Sequence, residues 1–282
     1  MSTVKKTNNF PEVVSSQIFN KVKGHSTIAK LSGQTPVAFA GNKIFTFSID
    51  GDINIVAEGG QKPEGSFTAA PVSIQPIKVV YQGRVSDEFM YAAEETRLQM
   101  MQAWIEGAAR KFAVGLDKMA MHGVNPATGA TSSLITSYLD QAQNITATAD
   151  LGDDIESAIL AIGDADYTGI AISKAAASTL GKMTTSAGAP LYPEFRLGGK
   201  PEDLAGVACD VNSTVSSDLV ILGDFANAFK WGYAKDITFE TIEYGDPDGQ
   251  GDLKRTNEVC LRAEAYIGFA VLDLASFARV HA

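Results

Sequence analysis

The stretch "INIVAEGGQKPEGSFTAAPVSIQPIKVV", Ile53 to Val80, places two strand-like runs on either side of a polar tip, "EGGQKPEG". An ordinary hairpin closes in about two to five residues. The longer and irregular tip therefore predicts a finger that projects from the body of the protein. Pro63, Pro71 and Pro76 lack the N–H group that a central strand must donate. We therefore predict that the finger is a sheet edge, poorly paired near its end, which a partner covers in an assembly.

The segments on both sides of the finger have clear periodicities. "KIFTFSID", Lys43 to Asp50, alternates apolar and polar residues and predicts a half-buried strand. Further on, apolar residues recur at spacings of three and four, which predicts a helix from Glu94 to His122 that Gly123 ends. One face of the strand carries Phe45, Phe47 and Ile49, and the helical stripe consists of Leu98, Met101, Ile105, Ala108, Phe112, Leu116 and Met119.

The second half of the chain mixes strands and helices. Residues 150–235 alternate between the two and predict a small α/β unit. Two long strands joined by an acidic loop follow, and a short strand ends the chain. The fold class predicted from these patterns is α+β.

Composition limits the classes of protein to consider. The 282 residues are 45% hydrophobic with a net charge of −10, which is globular and argues against tight sequence-independent DNA binding. No apolar run approaches the roughly 20 residues of a membrane-spanning helix. Residues 1–36 nevertheless contain five lysines against one glutamate, a local charge of +4 that leaves −14 for the rest. A basic arm on an acidic body predicts an arm that lies on another surface, with a solvated tail as the alternative.

Enzyme signatures are missing from the sequence. Neither GxSxG nor HExxH occurs, and Gly60 and Gly65 have the Walker A spacing without the lysine that must follow. The three histidines are not paired at ligand spacing. We therefore predict no catalytic residue, no cofactor and no metal site.

Two smaller features also have ordinary interpretations. The loop "DPDGQGD", Asp246 to Asp252, lacks the ligand spacing of an EF-hand and is interpreted as a solvated hairpin turn. Cys209 and Cys260 stand among apolar residues, which predicts buried, reduced thiols.

The order of the parts resembles the major capsid proteins of tailed phages, the Hong Kong 97-type capsid fold. The resemblance is carried by three motifs in sequence: "VAEGGQKPEGSF" at the finger tip, "VVYQGRVSDEFMYAAEE" before the helix, and "LDKMAMHGVNPATG" at its end. Together with the arm and the final strand pair, the ordered set spans nearly the whole chain.

The resemblance implies a division into named parts. Residues 1–40 would be an N-terminal arm without a core of its own. Residues 41–149 and 236–282 would form a peripheral domain, with an extended hairpin, the E-loop, at about 50–80 and a spine helix at about 94–122. Residues 150–235 would be the axial domain.

The resemblance also implies which residues meet neighbouring subunits. These are Glu58, Gly59, Gly60, Lys62, Pro63 and Glu64 at the E-loop tip, and Lys5, Lys6, Lys21 and Lys23 in the arm. Some relatives cross-link an E-loop lysine to an asparagine with help from a glutamate. Lys62 matches that lysine, but Asn257 is only near the asparagine position and Arg262 stands where the glutamate would be. We therefore expect no cross-link.

The function implied is a structural subunit that forms pentamers and hexamers in an icosahedral shell around phage DNA. Its partners would be copies of itself, scaffold, portal and decoration proteins, and DNA contacted without sequence preference. It would reside in the virion capsid, and in the host cytoplasm during assembly. The alternatives are the shell of an encapsulin-like compartment and, more distantly, a soluble α/β enzyme.

Overall fold

The computed structural model describes residues 25–50, 53–62, 64, 66–88, 94–215 and 217–282. Within these residues the chain forms a two-stranded ribbon, a three-stranded sheet and a six-stranded sheet, together with helices. None of the described helices is long and apolar enough to cross a membrane. The predicted α+β class is confirmed.

The described chain alternates between strands and helices along most of its length. In chain order these are α1 (Thr27–Leu31), β1 (Asn42–Asp50), β2 (Ser66–Ile74), β3 (Ile77–Ser86), α2 (Glu94–His122), β4 (Gln143–Thr146), α3 (Leu151–Ala161), β5 (Gly169–Ser173), α4 (Lys174–Lys182), β6 (Asp203–Leu204), β7 (Val207–Asn212), β8 (Val220–Gly223), β9 (Phe229–Ile242), α5 (Leu253–Thr256), β10 (Glu258–Val271) and β11 (Phe277–His281). Short 3-10 helices lie at Leu139–Gln141, Pro193–Gly198 and Ser213–Val215.

The finger is a hairpin of β1 and β2, paired antiparallel from Asn42 opposite Ile74 to Asp50 opposite Ser66. Its bounds differ from the sequence interpretation. The first strand precedes Ile53, the described residues from 53 to 62 form no strand, and β3 pairs with β10 instead of with the finger. The change falls at Pro76, which has no N–H group to continue the β2 ladder. The paired part of the finger is therefore residues 42–74.

The sequence places Phe45, Phe47 and Ile49 on one face of β1, but over the residues whose burial is described the opposite face is the covered one. The Phe45 side chain is 59% exposed, whereas Ile44 packs against a small cluster that contains Val37, Ile74 and Ala270. A two-stranded ribbon has no second layer of its own, so only the face that meets the body at its base becomes covered. Alternation identified the strand but not which face the body would cover.

Helix α2 has the predicted bounds and packs on the three-stranded sheet, whose order is β3, β10, β9. Ile105, Ala108, Phe112, Leu116 and Met119 of the predicted stripe are buried. They share one core with side chains of β9 and β10 and with α1. The stripe of α2 is thus confirmed as core from Ile105 onward, whereas Met101 is only partly buried.

The six-stranded sheet has the order β4, β11, β8, β5, β7, β6. Helices α3 and α4 contribute to its core on one face. Strand β5 pairs parallel with β7 and antiparallel with β8, so the sheet is mixed. The strands and helices predicted within 150–235 are present.

Sheet membership differs from the predicted segment bounds in three places. Strands β4 and β11 belong to the six-stranded sheet although they lie outside 150–235, and β9 of the three-stranded sheet begins at Phe229, inside it. The terminal strand β11 joins the six-stranded sheet because it buries Phe277, Ala278 and Val280 against β8 and the helices.

Two glycines make room for chain segments that cross the three-stranded sheet. Gly232 of β9 and Gly268 of β10 are register partners. A Cβ atom on Gly232 would lie 1.9 Å from the carbonyl oxygen of Thr35, and one on Gly268 would lie 2.9 Å from the Ile74 side chain. The pair lets the segment after α1 and the base of the finger lie against the strands.

Candidate assembly surface

The finger tip, residues 53–62 and 64, is exposed at every described position. Gly59 has a φ of 79°, and the amide of Gly60 donates to the carbonyl oxygen of Ala57 at 2.9 Å, so the chain turns at this point. The predicted interface residues Glu58, Gly59, Gly60, Lys62 and Glu64 all lie on this surface, and Pro63 lies outside the described residues. Their contact with a neighbour stays a prediction.

The tip also carries apolar side chains, which the sequence interpretation assigned to a continuing strand. Ile53 and Ile55 are fully exposed, and Val56 is partly exposed beside them. Burial of each isoleucine would contribute about 2 kcal/mol. A cluster of exposed aliphatic side chains on a projecting hairpin is typical of a surface that a partner covers. The sequence feature that indicates these exposed side chains is the cluster of aliphatic residues in "INIVA".

The root of the arm is held by a buried carboxylate on α2. Asp117 Oδ1 accepts hydrogen bonds from Ser26 Oγ at 2.6 Å and the amide of Ile28 at 3.1 Å. Its Oδ2 accepts from the amide of Thr27 at 3.0 Å and Thr214 Oγ1 at 2.8 Å. Burial raises the pKa of Asp117 to about 6, although the hydrogen bonds, with Ser26 foremost, oppose the shift. Asp117 therefore binds the unpaired N–H groups at the start of α1.

These contacts correct the prediction that residues 1–40 form an arm without a core. Ile28 and Leu31 are buried, and Lys30 forms an ion pair with Asp210 of β7. Thr35 donates its amide to the carbonyl oxygen of Trp231 at 2.8 Å. Ser26 and the residues of α1 therefore already belong to the folded body of the subunit. The predicted arm contacts, Lys5, Lys6, Lys21 and Lys23, lie outside the described residues.

The acidic loop after β9 was predicted to be a solvated turn, but it closes around an arginine side chain. The Arg84 side chain is 11% exposed, and its Nε donates to Asp248 Oδ2 at 2.9 Å. Its Nη1 lies 3.1 Å from Glu258 Oε2, and its Nη2 donates to the carbonyl oxygen of Gly251 at 2.8 Å. The hydrogen bonds from Arg84 lower the pKa of Asp248. Nothing in the local sequence shows this contact, because the partners are over 160 residues apart.

Lys62, Asn257 and Arg262, the positions matched to the cross-linking residues of relatives, do not form a cross-linking set in this subunit. Lys62 and Asn257 are both exposed, and Asn257 ends α5 with a φ of 53°. Arg262 Nε donates to Gln82 Oε1 at 2.9 Å, and its Nη2 donates to the carbonyl oxygen of Pro247 at 3.3 Å. An arginine cannot supply the carboxylate that assists the reaction in relatives.

A second polar cluster lies where α2 ends. His122 Nε2 is 2.8 Å from the carbonyl oxygen of Thr214, and its Nδ1 is 2.9 Å from Asp140 Oδ2 and 2.8 Å from Ser217 Oγ. Burial lowers the pKa of His122, but the contact with Asp140 outweighs it, so the pKa is raised. Burial, together with the neighbouring carboxylate of Asp140, raises the pKa of Asp218 to about 6.

Comparison with known proteins matches this architecture to viral shells. The model of the phage capsid family matches residues 9–281. A solved structure from Mycobacterium phage Ogopogo is 29% identical with a TM-score of 0.80, and the match covers 91% of this chain and 92% of that chain. One from Gordonia phage Cozz is 23% identical with a TM-score of 0.77, covering 91% and 86%. The capsid of an empty GTA particle is 13% identical with a TM-score of 0.64, covering 100% and 94%. The search of curated proteins gave no match.

The chain belongs to the phage capsid family. It is a structural major capsid protein of the virion shell, and its subunits associate with one another. The encapsulin-like alternative is not favoured by these matches.

Proposed function

We propose that the subunits build a closed icosahedral shell around phage DNA and that the finger tip is a contact between subunits. The observation that carries the contact is the exposure of Ile53 and Ile55 at a hairpin tip that no described part of the same chain covers. Heterologous contacts give rings when the rotation closes, which suits pentamers and hexamers.

The named parts of the fold belong to the same proposal. The three-stranded sheet with α2 would form the peripheral domain, and the six-stranded sheet would form the axial domain around the symmetry axes. The basic arm would lie on an acidic neighbour. Because phosphate repels carboxylate, an acidic body would keep packaged DNA from adhering. Scaffold, portal and decoration proteins would be partners, and assembly would take place in the host cytoplasm.

The experiment is to replace Ile53 and Ile55 together by serine and to follow assembly by sedimentation and electron microscopy. We expect native circular dichroism, because these side chains make no contribution to the core, and a shift from shells to capsomers or smaller species. The control is Leu134→Ser, which removes an exposed aliphatic side chain outside the finger. Normal shells of normal stability from the double variant would exclude the tip as an assembly contact.

We also propose that the protein has no hydrolytic activity. Ser217, His122 and Asp140 lie together, as they would in a catalytic triad. A triad needs the serine at one imidazole nitrogen and the carboxylate at the other. In this subunit both lie at Nδ1, and Nε2 faces the carbonyl oxygen of Thr214. Turnover of an ester substrate that Ser217→Ala abolishes would contradict this proposal.

A further inference from the structure

The polar cluster at the end of α2 brings three distant segments together. His122 ends the helix, Asp140 lies in the 3-10 helix Leu139–Gln141, and Asp218 precedes β8. One nitrogen of His122 and one oxygen of each carboxylate lie within 4.8 Å of one another. Asp140 and Asp218 are both largely covered, so their negative charges need compensation.

Part of the compensation comes from the last strand, on one side of Asp218. Arg279 Nη1 lies 3.1 Å from Asp218 Oδ1, and His281 Nδ1 lies 2.9 Å from the same oxygen. Arg279 Nη1 is also 3.8 Å from Asp140 Oδ1. The other oxygen, Asp218 Oδ2, is buried and has no hydrogen-bond partner among the described residues. A buried carboxylate oxygen left without a donor is costly, so Asp218 needs a proton, a water molecule or a cation beside it.

The hydrogen bonding of His122 determines which nitrogen is available. A carbonyl oxygen can only accept, so the contact with Thr214 fixes the proton on Nε2. In the neutral imidazole, Nδ1 then presents a lone pair to Asp140 Oδ2 at 2.9 Å. This contact needs a positive charge, which is either a second proton on the imidazole, giving an ion pair with Asp140, or a metal ion bound by Nδ1 and the carboxylate. Metal-binding histidines commonly donate their other N–H group to a backbone carbonyl in this way.

We propose that His122 Nδ1, Asp140 and Asp218 form a binding site for a divalent transition-metal ion such as Zn²⁺. Ligands of a tetrahedral zinc ion stand about 3.4 Å apart. His122 Nδ1 and Asp140 Oδ2 are 2.9 Å apart and the candidate ligand atoms all lie within 4.8 Å of one another, so small side-chain shifts would bring them to that spacing. Arg279 and His281 both contact Asp218 Oδ1, so Oδ2, which has no partner among the described residues, is the oxygen that would bind the ion. Ser217 is exposed beside Nδ1, so its hydroxyl or a water molecule can complete the coordination and the ion can enter from solvent.

Such an ion would join the long-helix core to the six-stranded sheet. Asp218 and Arg279 belong to the sheet side, and His122 belongs to α2. An ion that binds the folded subunit alone stabilises it, by an amount that grows with its concentration over the dissociation constant. The site is thus a metal clamp within each subunit and is separate from the finger tip.

The test uses the full-length protein after dialysis against a chelator, with ZnCl₂ as the titrant in calorimetry and Co²⁺ as a spectroscopic probe. We expect one zinc ion per chain and visible Co²⁺ bands of a site with nitrogen and oxygen ligands. We also expect a melting temperature about 5 °C higher in excess Zn²⁺. Mg²⁺ should not reproduce these effects, because an imidazole ligand favours transition metals.

His122→Ala and Asp218→Asn should each weaken zinc binding at least about tenfold. His25→Ala is the matched control, since His25 is exposed and lies outside the cluster. Wild-type protein that binds no Zn²⁺ at micromolar concentrations would overturn the proposal and leave a proton as the bridging cation. Undiminished binding by His122→Ala with native circular dichroism would overturn it as well. The wild-type titration decides the matter even when a variant fails to fold.

Discussion

The finger tip and the root of the arm differ in which side chains they bury: the tip exposes apolar side chains, and the root buries polar ones. At the tip, aliphatic side chains such as Ile53 and Ile55 face solvent, and no described part of the chain covers them. At the root, the hydroxyl groups of Ser26 and Thr27 and the carboxylate of Asp117 are fully buried and hydrogen-bonded. The root is complete within one subunit, whereas the tip lacks a covering surface.

This difference separates folding from assembly. Removing a partner from a buried hydrogen-bonded group leaves an unsatisfied polar atom and costs the subunit directly. Removing an exposed aliphatic side chain costs the free subunit little, and its effect appears only when a neighbour would have covered it. Changes at the root should therefore alter unfolding, and changes at the tip should alter shell formation.

The largest effect on the subunit is expected from Asp117→Asn. Both carboxylate oxygens accept from backbone amides, Thr27 on one and Ile28 on the other, and these amides cannot turn away. Either orientation of asparagine would point its NH₂ group at one of them. We expect a loss of about 3 kcal/mol in the free energy of unfolding, measured by denaturation of unassembled subunits. Asp164→Asn, at an exposed carboxylate, serves as the control and should change little.

The same site has a pH dependence whose sign can be stated. The pKa of Asp117 is about 6 in the folded subunit and 3.8 as an ordinary carboxyl. A pKa raised by folding gives a stabilising contribution that is complete below about pH 4 and is lost as the pH rises through about 6. Protonated Asp117 keeps both backbone bonds, because its hydroxyl oxygen still accepts. The deficit of Asp117→Asn should therefore be larger at pH 4 than at pH 7. An equal deficit at both values would show that the carboxyl does not titrate in this range.

Two truncations give the next effect and locate the boundary between arm and body. Removing residues 2–24 should leave the melting temperature of the subunit unchanged and reduce shell yield, because the lysines removed would contact a neighbour. Removing residues 2–31 also deletes buried Ile28 and Leu31 and should lower the melting temperature. Equal melting temperatures for the two truncations would mean that α1 contributes nothing to the fold.

The sequence predicts those parts of the fold that follow from a local periodic pattern of apolar residues. The apolar stripe from Leu98 to Met119 predicts α2 with its bounds, because a helix face is set by spacings of three and four. The partner of Asp117 lies some 90 residues away, and the glycine pair Gly232 and Gly268 acts on segments from elsewhere in the chain. Neither contact leaves a local pattern. The described residues among the predicted tip contacts are on the surface. The exposure of Ile53 follows only once the strand is known to end before it.

A smaller change is expected when the tip is shortened. Replacing Gly59 to Gly65 by an Asn-Gly turn should keep circular dichroism native, because nothing in the described part of this segment is buried. It should weaken shell closure, because the charges of Glu58, Lys62 and Glu64 would be lost or displaced. Exposed ion pairs contribute about 0–1 kcal/mol each, so the shells should form but dissociate at lower denaturant concentration. Unfolding of the shortened subunit would instead place the tip in the core.

The smallest effect is expected from Lys62→Arg, which should leave the covalent structure of the shells unchanged. Guanidinium keeps the positive charge and the contact surface but cannot form an amide with a neighbouring asparagine. The position that would need a carboxylate holds Arg262, which donates to Gln82 and the carbonyl oxygen of Pro247 and so has no base to offer. Wild-type shells boiled in denaturant should therefore run as a single band of 29.8 kDa on a gel, as should the variant. A ladder of high-mass bands in the wild type that Lys62→Arg abolishes would show that another carboxylate reaches the tip across the subunit boundary. The tip would then be a reactive contact and not merely an apolar one, and the contrast with the self-contained arm root would be sharper still.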